Sequence, residues 1–64
     1  MKEVDNENRL LLEANGFIFD VLEGRWFHKD LHILISEQEE QFMVPAAFRD
    51  KVAGLLKKRI EELS

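Results

Sequence analysis

The chain has 64 residues, no cysteine, one proline and a formal net charge of −4 at pH 7, with 45% apolar and 34% charged residues. This is the composition of one small folded domain, since disordered chains are poorer in apolar residues; it excludes disulfides and thiolate metal sites, a bilayer span and, with the acidic start MKEVDNENR, a signal peptide. A cytoplasmic protein is expected, and a domain that buries only about 60% of its unfolded surface is expected to gain stability from a partner chain.

The spacing predicts a first helix over 5–15. Asp5 or Asn6 caps it, because a short oxygen side chain accepts from the free amides of the first turn. Glu7 suits the positive end of the helix dipole, and Gly16 takes the left-handed conformation that ends it. Leu10, Leu11 and Leu12 cover more than one narrow stripe, so this helix touches more than one surface. After Gly16 the period changes to two: Phe17, Phe19 and Val21 point one way, Ile18, Asp20 and Leu22 the other. Glu23 and Gly24 read as a two-residue hairpin turn. A second strand starts at Arg25 and either runs to Ile35 or breaks near Lys29 and Asp30. The polar SEQEE at 36–40 reads as a turn, and QFMV at 41–44 as a short third strand. Pro45 opens the last helix, over 45–63, where its missing amide costs nothing. Phe48, Val52, Leu55, Leu56 and Leu63 share one sector with Ile60 at its edge, opposite Asp50, Lys57, Lys58 and Glu61. The expected fold is α+β, a single domain over 1–64 with a helix, a three-stranded antiparallel meander and a long C-terminal helix.

This element order is similar to that of the double-stranded-RNA-binding fold. That family carries a lysine cluster at the start of its last helix, where this chain reads PAAFRD, and KKR at 57–59 comes late and is followed by two glutamates. The family is therefore not assigned. A nucleic-acid-binding module of αβββα type stays as the alternative, which one contiguous basic face would favour.

The sheet is expected to be apolar on both faces. One face takes Phe17, Phe19, Val21, Phe27, Leu31, Ile33 and Ile35; the other takes Ile18, Leu22, Trp26, Leu34, His28 and His32. An antiparallel sheet with one wet face should alternate apolar and polar residues. Either one helix covers each face, or the helices share one face and a partner covers the second. The partner reading is preferred, because large exposed apolar patches mark interaction sites. It makes Trp26, Ile18, Leu22, Leu34, His28 and His32 the interface candidates. Gly54 joins them as a place for close backbone approach, and Arg59 as an interface arginine.

The stretch HKDLH at 28–32 raises a metal site. On a strand His28 and His32 lie about 13 Å apart. Ligation then needs a chain reversal at Lys29 and Asp30, with Asp30 or Asp20 as a third ligand. The flanking RWF and ILI favour a strand face, so neither metal nor cofactor is expected. The acids are scattered, no phosphate-binding glycine loop is present, and neither serine has a nucleophile's setting. The chain is read as a small acidic non-enzymatic protein–protein interaction module. It pairs with itself as a homodimer and with another protein in a regulatory or inhibitory role. A phage or assembly accessory protein is a further alternative.

Overall fold

The computed structural model describes residues 7–64. In chain order it contains α1 (Glu7–Ala14), β1 (Ile18–Asp20), β2 (Arg25–His28), β3 (Ile33–Ser36), α2 (Glu37–Phe42) and α3 (Pro45–Leu63). The strands form one antiparallel sheet in the order β1-β2-β3. The arrangement is α+β, a helix, three strands and a C-terminal helix, with one further short helix, α2, before the last. The caps expected at Asp5 and Asn6 lie outside the described residues.

α1 ends in a Schellman motif. Gly16 has φ +88°, its amide donates to the Glu13 carbonyl at 3.2 Å, and the Phe17 amide donates to the Leu12 carbonyl at 2.9 Å. These bonds satisfy carbonyls that a helix end leaves free. Leu12 and Phe17, joined by the second of these bonds, both enter the core. The end of α1 thus sets where the sheet begins.

The β1–β2 turn is longer than the two-residue hairpin expected at Glu23 and Gly24. Asp20 Oδ1 accepts from the amides of Leu22 at 3.1 Å and Glu23 at 3.2 Å. The Gly24 amide donates to the Asp20 carbonyl at 2.8 Å, and Gly24 supplies the positive φ of +68°. The aspartate folds the chain two residues early, so Val21 and Leu22 leave the strand. The β2–β3 turn closes the same way. The His32 amide donates to the His28 carbonyl at 2.7 Å, and His32 itself takes φ +57°.

The third strand is Ile33–Ser36 and not 41–44. Residues 37–42 are helical because Ser36 caps α2, its hydroxyl accepting from the Glu39 amide at 3.2 Å. Ser36 and Glu39 have the S-x-x-E spacing of a capping box, and three glutamates near the N-terminus suit its dipole. α2 is tied to α1 by Asn8, whose amide donates at 2.9 Å to the carbonyls of both Glu40 and Met43. The core gathers Leu12, Phe17, Trp26, Ile33, Ile35, Phe48 and Val52. α3 spans about 28 Å at the helical rise. Only its first half is buried, at Phe48 and Val52, while Ile60 and Leu63 near its end are exposed.

Candidate interaction face

Strand register decides which side chains share a face. Phe19 pairs with Trp26 and Trp26 with Ile35, whereas Ile18 pairs with Phe27 and Phe27 with Leu34. Cross-strand partners point to the same side. One face therefore carries Phe19, Trp26 and Ile35, together with His28 and Ile33. The other carries the row Ile18, Phe27, Leu34, and next to it Asp20, Arg25 and Ser36. The buried sheet residues all belong to the first face and join the buried residues of α1 and α3 in one cluster. The helices thus cover one face, and the second is open. Ile18 is 46% and Leu34 57% exposed, with Phe27 half-buried between them.

Trp26 and Phe27 exchange the faces expected of them. Trp26 is only 4% exposed and packs beside Phe19, with ring centroids 5.2 Å apart. Any hairpin loop with an even number of residues pairs an odd position with an even one. Phe19 had to share a face with Trp26 whether the turn held two residues or four. That parity was the available signal, and it places Phe27 in the open row.

The other candidates scatter. Leu22 is 95% exposed at the turn tip, outside the strand. His28 lies on the covered face, edge-on to Phe17 with centroids 5.2 Å apart, and its Nδ1 accepts from the Leu31 amide at 3.2 Å. His32 is exposed in the turn and not on a strand. Among the described residues no group of three histidines, aspartates or glutamates could hold a metal. Gly54 is exposed on α3, and a Cβ there meets nothing within 4 Å, so none of the described residues requires glycine there. Arg59 is half-buried and pairs at 3.4 Å with Glu62 one turn on in its own helix. The structure brings Ile18 and Leu34 together with Phe27, and it separates Trp26, His28, Leu22 and Gly54 from them.

Two shallow depressions flank Leu34. One is lined by Arg25, Phe27, Lys29 and Asp20, the other by Leu55, Lys58, Arg59 and Glu62, and both reach His32. The open face thus has a mainly basic border in a chain of net charge −4. No described helix is long and apolar enough to cross a membrane. Comparisons with protein-family models, curated proteins and solved structures give no match.

Proposed function

We propose that the protein is a non-enzymatic interaction module that homodimerises through its open sheet face and acts on another protein by occupying it. The observation that carries this reading is the uncovered row Ile18, Phe27, Leu34 on a sheet whose other face holds the core. Two such faces stacked at the usual sheet spacing of about 10 Å would interdigitate their rows. Asp20 and Arg25 are direct partners on the open face. A two-fold axis would set Asp20 of one copy against Arg25 of the other, which makes the patch self-complementary. A stable interface removes about 800 Å² per partner, roughly a sixth of the 4691 Å² the chain exposes. The exposed Val21 and Leu22 at the turn add apolar area beside the row.

Light scattering over a concentration series tests this. Wild type is expected near 15 kDa, twice the 7.6 kDa chain. Leu34→Asp should give the monomer mass, and Leu10→Asp, altering an exposed leucine on α1, should stay dimeric. A wild-type monomer at every concentration would sink the proposal.

A second reading draws on Arg25 and Lys29 beside Phe27, with Lys58 on the far side of Leu34. A sheet aromatic among cations can stack the bases of a single strand. Anisotropy with a labelled single-stranded oligonucleotide separates the two readings. Binding that falls steeply with salt and is lost in Phe27→Ala would favour nucleic acid over the dimer.

A further inference from the structure

β3 ends the sheet, so one side of its backbone has no described strand beside it. Gly24 and Glu37 continue its register with β2, and the Glu37 amide donates to the Gly24 carbonyl at 3.4 Å. Antiparallel pairs alternate between bonded and unbonded. Trp26 with Ile35 and His28 with Ile33 are therefore bonded pairs, and Phe27 with Leu34 is not. The Leu34 N–H and C=O point away from β2 to the free edge, and no described residue outside the sheet bonds them. At that edge a groove of about 320 Å³ runs between β3 and the second half of α3. Ile33, Leu34 and Leu55 supply its apolar lining, and Lys58, Arg59 and Glu62 its charged wall. Arg59 and Glu62 answer each other at 3.4 Å, whereas Lys58 takes no ion pair from any described residue. On the other side of Leu34 stand Arg25 and Lys29 with Asp20, and neither of these cations is ion-paired among the described residues. Both sides of the edge thus carry a surplus of positive charge.

We infer that the β3 edge takes an extended acidic segment of a partner protein as a fourth strand. An unpaired strand edge is a template for another chain. Strand addition draws affinity from main-chain bonds and specificity from alternate side chains. The Leu34 N–H donates to a carbonyl of the segment, and the Leu34 C=O accepts from one of its amides. Apolar side chains of the segment meet Ile33 and Leu55, and its carboxylates answer the unpaired cations. A second copy of β3 would set basic borders against each other, and like charges brought together cost affinity. The inference rests on reading the chain as an interaction module and names the partner's chemistry. The site is an edge of the sheet, whereas the dimer lies on its face.

Amide exchange followed residue by residue reads the edge directly. In the free protein the Leu34 amide is expected to exchange fast, and those of Ile33 and Ile35, bonded to β2, slowly. Saturating acetyl-Glu-Val-Glu-Val-Glu-Val-amide should slow the Leu34 amide by about tenfold or more, and its lysine counterpart should leave it fast. Lys58→Glu changes an exposed position on α3. It should weaken the acidic peptide about tenfold and keep the wild-type mass in light scattering. A Leu34 amide that stays fast with the acidic peptide, equal protection by the lysine peptide, or wild-type affinity in Lys58→Glu would overturn the proposal. So would a Leu34 amide already slow in the free protein; slowing that grows with protein concentration would give the edge to a second copy. Light scattering decides the dimer separately. A monomer whose Leu34 amide the peptide protects loses the dimer and keeps the edge, and a dimer whose Leu34 amide ignores the peptide does the reverse.

Discussion

Asn8 is a polar side chain placed where the α1 stripe faces the protein, one helical turn before Leu12. It is 5% exposed, and both of its hydrogen bonds go to carbonyls at the end of α2. Removing the amide leaves those carbonyls without a donor, so Asn8→Ala should cost about 2–3 kcal/mol. The check is a urea midpoint that falls while the slope is kept; an unmoved midpoint would mean that water replaces the amide. Glu39 offers a pH test at the same scale. It pairs with Lys51 of α3, and the Lys51 ammonium holds its carboxyl below the ordinary value of 4.5. A lowered folded pKa means that the pair's contribution is present above 4.5 and is lost as pH falls through the lower folded value. Both side chains are about a third exposed, so the contribution is small. Unfolding midpoints from pH 7 to pH 3 should fall less steeply in Glu39→Gln than in wild type.

At the scale of elements, two glycines make opposite predictions. Gly16 holds φ +88°, and a Cβ there would come within 3.0 Å of His28 Nε2. Gly16→Ala should therefore destabilise by about 1–2 kcal/mol. Gly54 stands on the exposed side of α3 with no described residue near its missing Cβ, so Gly54→Ala should stabilise by about 1 kcal/mol. Thermal unfolding reads both, at about 4–8 °C per kcal/mol for a domain this size. The elements differ in how far the sequence showed them. α1 and α3 carry a helical period, a glycine stop and a proline start, and both stand where those signals put them within the described residues. α2 was hidden because EQEEQF has no apolar stripe; it begins on the Ser36–Glu39 box, a local hydrogen-bond signal that periodicity does not detect. The strand 41–44 was drawn from the apolar FMV, which instead leads from α2 into α3. The face of Trp26 was legible from loop parity. The ties made by Asn8 and the burial of Glu40 depend on tertiary placement, and no local pattern announces them.

For the whole molecule, the sheet works as a floor that, among the described residues, has helices on one side and none on the other. The helix side completes the core; the open side leaves Ile18, Phe27 and Leu34 in a surface row. Burying that row in a second copy gives a small domain the apolar area that it lacks alone. The isotope-filtered NOE between labelled and unlabelled copies in a mixed sample tests this most directly. The account predicts contacts across copies from the Ile18 and Leu34 methyls to the Phe27 ring. A dimer whose cross-copy contacts come only from the exposed end of α3, at Ile60 and Leu63, or a sample with none at all, would contradict it.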